Sequence, residues 1–189
     1  GATTRQGSIE AGTCIGDSSP EARARGGSTE LNLMNFDYLG DQFVLIDTPG
    51  STGFAADGMA AVASADMAIV VVDPDPARAA LVEPVLRRVD ELGVPHIIFV
   101  NRVDQAKGSI RDLLAALQPM SGEPLLARQI PMREGGQITG FVDLALERAY
   151  RYVPGKPSEA IDIPADLAER EASERFHMLE TLADHDDML

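Results

Sequence analysis

The chain has 189 residues, 44% of them hydrophobic and 24% charged, which suits a globular fold with one core and room for a small appendage. A formal net charge of −14 excludes broad electrostatic capture of nucleic acid or of an anionic membrane, because both need a cationic surface. Apolar runs such as Met67–Val72 and Pro95–Val100 are too short to cross a bilayer, and the single Cys14 permits neither an internal disulfide nor a cysteine metal set, so a cytoplasmic protein is expected.

Residues 1–30 are rich in Gly, Ser, Thr and Ala without a sustained period and read as a mobile loop, with a short helix near Pro20–Arg25. Leu31, Leu33 and Asn35–Leu39 read as a strand, Gly40 and Asp41 as a turn, and Gln42–Asp47 as a second strand, which together predict a hairpin. Gly58–Ala65 is an alanine-rich helix, Met67–Asp73 a buried strand, and Ala77–Leu92 a helix whose Leu81, Val85, Val89 and Leu92 share one face. Asp75 and Pro76 suit the start of that helix, and Pro84 should kink or delay it. Pro95–Asn101 is the next buried strand and Ser109–Leu117 the next helix. This alternation predicts an α/β fold with a mostly parallel sheet and helices on both faces, in which ligands bind beyond the carboxyl ends of the strands.

The rhythm changes after about residue 121. Pro124–Met132 and Gln137–Asp143 read as strands around Gly135 and Gly136, followed by helix or strand through Tyr152, an extended crossing over 154–165, and an acidic helix over Ala165–Leu189. The predicted organisation is therefore a core over 1–120 and a small α+β subdomain, closed by the acidic helix, over 121–189.

Two strand ends carry the chemistry. Asp47-Thr48-Pro49-Gly50 follows the apolar Phe43-Val44-Leu45-Ile46, where a carboxylate can hold Mg²⁺ and a glycine amide can reach a terminal phosphate. The same four residues equally suit an ordinary turn. Asn101-Arg102-Val103-Asp104 follows His96-Ile97-Ile98-Phe99-Val100. An amide with a carboxylate three residues on can read a purine edge, and the carboxylate is suited to the two N–H groups of guanine. The order and spacing of the two motifs weigh against a pair of unrelated turns.

That ordered pair resembles the translational GTPases, whose patterns are DxPG and NKxD, with Arg102 standing where the family has lysine. Gln129-Ile130-Pro131-Met132, Gly140-Phe141-Val142-Asp143-Leu144 and Ala149-Tyr150-Arg151-Tyr152 are similar to the insert that elongation factor G carries in its GTPase domain. Arg25-Gly26-Gly27-Ser28 resembles the family's RGIT or RGIS segment of switch I. The resemblance implies that Ser28 and Asp47 serve Mg²⁺, that Gly50 contacts the terminal phosphate, and that Asn101 and Asp104 hold guanine. It further implies GTP or GDP as ligand, and the ribosome as partner of the parent protein in translocation or recycling.

Departures from the family pattern shape the expectation. No Gly-x-x-x-x-Gly-Lys-Ser/Thr occurs, and Gly155-Lys156 is followed by Pro157, so the chain is expected to be a fragment that begins inside the domain. Losing four or five charge-assisted bonds of about 1.5 kcal/mol each lowers phosphate affinity by roughly four to five decades. The 189 residues alone should therefore bind nucleotide poorly and not hydrolyse it. Ser51 occupies the position of the family's water-orienting histidine, which predicts slow hydrolysis in the parent. It also keeps open an alternative, a GTPase-like scaffold that has lost hydrolysis and docks partners. Asp73-Pro74-Asp75 superficially matches a phosphatase nucleophile motif, but Asp75 is better read as a helix cap. His96, His177 and His185 lack ligand spacing for a metal.

Overall fold

The computed structural model describes residues 7–106 and 108–185. Helix α1, Pro20–Arg25, begins where Ser19 accepts a hydrogen bond from the Ala22 amide and Pro20 presets the first turn. It stops at Gly26, whose φ of 69° is the left-handed conformation that closes helices. Residues 1–6 of the segment expected to be mobile lie outside the described residues.

Strands β1 (Asn32–Tyr38) and β2 (Asp41–Asp47) form the expected antiparallel hairpin, in register from Asn32 opposite Asp47 to Tyr38 opposite Asp41. Phe36 and Phe43 stack across it with ring centroids 5.3 Å apart. The turn is one residue earlier than the sequence suggests: Leu39 and Gly40 occupy it with φ of 53° and 97°. Two positive φ values match the strand twist of a two-residue hairpin, and that demand overrides the aversion of leucine for the left-handed region.

A 3-10 turn at Thr52–Phe54 leads into α2 (Ala55–Val62), three residues ahead of the expected start. Strands β3 (Ala68–Val72) and β4 (His96–Val100) are hydrogen-bonded neighbours. The Ala68 amide donates to the Pro95 carbonyl and the Asn101 amide to the Val72 carbonyl, so the two run parallel. Between them the expected helix divides. Asp75 accepts from the Ala77 amide at 3.0 Å and starts a 3-10 stretch, Pro76–Val82, before α3 (Glu83–Leu92) takes over with Pro84 in its first turn. Proline is tolerated there because amides in the first turn have no helical partner. Asp73 is tied to Arg78 at 2.8 Å, so the Asp73-Pro74-Asp75 motif is local architecture.

The chain divides into two compact units, Gly1–Ile69 with Arg88–Ile97, and Val70–Arg87 with Ile98–Leu189. In the second, Val70, Val72, Ala79, Leu86, Leu113 and Leu117 form a buried cluster, to which α4 (Ile110–Leu117) contributes through a capping box between Ser109 and Asp112. The alternate strand residues Ile69, Val71, Ile97 and Phe99 are each about half exposed.

Strands β5 (Gln129–Glu134), β6 (Gln137–Asp143), β7 (Arg148–Arg151) and β8 (Glu159–Ile161) make a four-stranded antiparallel sheet in chain order. Gly135 and Gly136, both with positive φ, turn the first hairpin as expected. Helix α5 (Ala168–His185) lays Met178 and Leu182 against Ile130, Met132, Val142, Leu144 and Ala149. Residues 186–189 of the helix expected over Ala165–Leu189 lie outside those described. No helix among the described residues is long and apolar enough to cross a membrane.

Candidate functional site

Asp47 closes β2 opposite Asn32, and its position follows from the hairpin register. Asn32 in turn grips Asp17: the Asp17 amide donates to Asn32 Oδ1 at 3.0 Å, and Asn32 Nδ2 donates to Asp17 Oδ1 at 3.2 Å. Burial, and then the nearby Asp17 charge, push the Asp47 carboxyl above its ordinary range. A cation bound at Asp47 relieves both effects. Asp17 and Asn32 carried no motif, and only their side-chain pairing in the fold reveals them.

After Asp47 the loop exposes Thr48, buries Pro49 and exposes Gly50. A Cβ built on Gly50 meets no atom within 4 Å, so there is open room beside its backbone. Ser51 precedes the 3-10 turn, whose Phe54 amide donates to the Ser51 carbonyl at 2.9 Å. The Ser51 hydroxyl is engaged, accepting from Arg25 Nη2 at 3.0 Å. Ser28 is half-buried two residues beyond the glycine that ends α1. These residues, Ser28, Asp47, Gly50 and Ser51, all belong to the first unit.

Asn101 and Asp104 belong to the second unit. Asn101 continues β4 through its backbone amide, which donates a hydrogen bond to the Val72 carbonyl, while its side-chain Oδ1 accepts from the Arg102 amide at 2.9 Å. That bond steadies Arg102 at a φ of 52°, a conformation which asparagine-led turns favour and arginine resists. Asp104 sits exposed in the 3-10 turn Val103–Gln105. Both side chains stand at the carboxyl end of a parallel strand, the edge at which α/β folds bind ligands.

For a metal, the donor set is telling. Among the described residues no group of three or more His, Cys, Asp or Glu can hold an ion. The Asp47 carboxylate, with the Asp17 carboxylate near it, and the Ser28 hydroxyl are hard oxygen donors, the kind that Mg²⁺ takes together with waters and phosphate oxygens. His96 stands at the start of β4 with Nδ1 3.4 Å from the Val94 carbonyl, a contact that is structural.

A family model described as the elongation factor Tu GTP binding domain matches residues 1–172. The whole chain is 38% identical over 189 residues to an elongation factor G-like protein of Synechocystis, of which it covers 28%. It is 30% identical over 185 residues to elongation factor G 2 of Streptomyces coelicolor, covering 97% of this chain and 27% of that one. A solved structure from Thermus thermophilus superposes on 98% of the chain with a TM-score of 0.88 at 29% identity, and the match covers 28% of that protein. The chain thus spans little more than a quarter of the length of these relatives.

Proposed function

The chain belongs to the family of elongation factor Tu GTP binding domains, and we propose that it serves as the guanine-nucleotide module of an elongation factor G-like translation factor of the cytoplasm. The observation that carries this reading is the pair of strand-end motifs, Asp47–Gly50 and Asn101–Asp104, in a chain matched to that family over 172 of its residues. In this reading Asp47 and Ser28 hold Mg²⁺, Gly50 contacts the terminal phosphate, and Asn101 with Asp104 reads guanine. When bound, the ion neutralises charge on the phosphate oxygens.

The chain's own residues do the rest. The Asp104 carboxylate accepts the two N–H groups of the guanine edge, a charge-assisted pair that adenine cannot offer. The open flank of Gly50 lets its backbone approach a phosphate as a bulkier residue would not. The full-length protein uses GTP hydrolysis on the ribosome in translocation or recycling, whereas these 189 residues, having no Gly-x-x-x-x-Gly-Lys-Ser/Thr, bind nucleotide weakly by themselves.

One observation favours a second reading. The Ser51 hydroxyl accepts a hydrogen bond from Arg25 and is held by it, which suits a module that binds nucleotide and docks partners without hydrolysing it. Calorimetric titration of the full-length protein with GDP and Mg²⁺, repeated with Asp104→Asn, tests the shared premise. A loss of about ten- to a hundredfold in affinity is expected for one or two such bonds, and unchanged affinity overturns the guanine assignment. GTP turnover by the same protein, with and without ribosomes, then separates the two readings.

A further inference from the structure

Arg25, the last residue of α1, makes two different contacts with one loop. Its Nη2 donates to Ser51 Oγ at 3.0 Å, between residues 26 apart in the chain. Its guanidinium carbon also lies 5.2 Å from the centre of the Phe54 ring. The hydrogen bond and the cation–π contact together hold the guanidinium against the loop that carries Ser51 and Phe54. Both ends of the contact lie in the same compact unit.

The geometry has a direction. Immediately after Arg25 the chain turns through left-handed Gly26, whose amide bonds back to the Ala22 carbonyl, and reaches Ser28. Immediately before Ser51 stands Gly50. One guanidinium therefore ties the segment that leads to Ser28 to the loop that begins at Gly50.

We propose that Arg25 is a positioning residue, a clamp that holds the Ser28 segment and the Gly50 loop in a single arrangement, with Ser51 as receptor for the guanidinium and not as the group that orients water. This inference rests on the nucleotide reading above for its functional consequence. A hydroxyl that accepts from Arg25 keeps one hydrogen to donate, but it can no longer turn freely. The clamp also fixes a full positive charge beside the residue that follows Gly50, which favours the more highly charged of two nucleotides.

The test is a double-mutant cycle in the full-length protein with Arg25→Ala, Ser51→Ala and the pair. Both side chains are at or near the surface, Arg25 exposed and Ser51 half-buried, so truncation leaves the core intact. Two readouts apply: amide hydrogen exchange over residues 20–30 and 50–54 without nucleotide, and the ratio of GTP to GDP affinity. The clamp predicts reciprocal loosening, with Ser51→Ala speeding exchange in 20–30 and Arg25→Ala speeding it in 50–54. It predicts a fall of about tenfold in the GTP to GDP ratio for Arg25→Ala, the scale of one charge-assisted contact, and a double variant no worse than Arg25→Ala alone. Additive effects, or native exchange in 20–30 when Ser51 is removed, overturn it. Should the protein bind no guanine nucleotide, the nucleotide reading falls while the exchange arm still decides the clamp.

Discussion

Asp143 accepts four hydrogen bonds, two from Arg128 and two from the Ala145 and Leu146 amides, with its side chain 6% exposed. Burial works to raise its pKa, but the guanidinium and the amides outweigh it and hold the carboxyl below the ordinary range. A carboxyl whose folded pKa is depressed stabilises the fold above its unfolded value, about 3.9, and loses that contribution as pH falls through the folded value. Asp143→Asn should therefore cost about 1–2 kcal/mol at neutral pH, the low end for a buried charge-assisted group because Arg128 is largely exposed. Urea denaturation from pH 7 down to pH 3 should show that difference shrinking; a constant difference contradicts the assignment. Asp47 has the opposite sign. Its ionised form is disfavoured in the fold by burial and by Asp17, so Asp47→Asn should stabilise the nucleotide-free protein, and under the proposed role of Asp47 it should abolish any effect of Mg²⁺ on GDP affinity. A less stable variant, or an intact response to Mg²⁺, is the contrary result. The carboxylates at strand ends were legible in the sequence because an apolar strand followed by a polar turn is a local pattern. The Asn32 grip on Asp17 and the Arg25 bond to Ser51 were not, since they join residues 15 and 26 apart that only the fold brings together.

Local periodicity identified nearly every helix and strand, and the errors have local causes. The hairpin turn shifted by one residue because strand register, fixed by Phe36 opposite Phe43, places Leu39 and not Asp41 in the turn. Leu39 is 87% exposed at a φ of 53°, so it contributes strain and no burial. Leu39→Asn should raise stability by about 0.5–1 kcal/mol, since asparagine tolerates that conformation. Thermal unfolding reads the change, and a lower melting temperature would show that the turn is not strained. Strand β8 fell within a segment read only as extended, because Pro154, Pro157 and Pro164 mask a three-residue strand that is specified by pairing with β7 and not by its own composition. The sequence reads one helix over Ala77–Leu92 with Pro84 as a kink or delay, whereas the fold puts Pro84 in the first turn of a separate α3, where its missing amide is harmless.

At the scale of the molecule, the apolar runs of β3 and β4 predict strands covered on both sides. Val70 and Val72 are buried and Ile98 and Val100 partly buried in the core cluster, while Ile69, Val71, Ile97 and Phe99 stay about half exposed. The sequence announces this apolar surface but not what meets it. The family resemblance, in contrast, was carried by short motifs at long spacing, and the match to residues 1–172 agrees with it. Function at this scale depends on whether Asn101 and Asp104 read a guanine edge. The most direct measurement is the ratio of GDP to XDP affinity in the full-length protein, native and Asp104→Asn. Xanthine replaces the donor at position 2 of guanine with an acceptor, which a carboxylate repels and an amide can satisfy. The native protein should prefer GDP, and the variant should shift the ratio toward XDP by at least about a hundredfold, the scale of exchanging paired for unpaired hydrogen-bonding groups. A ratio that does not move on substitution contradicts the account.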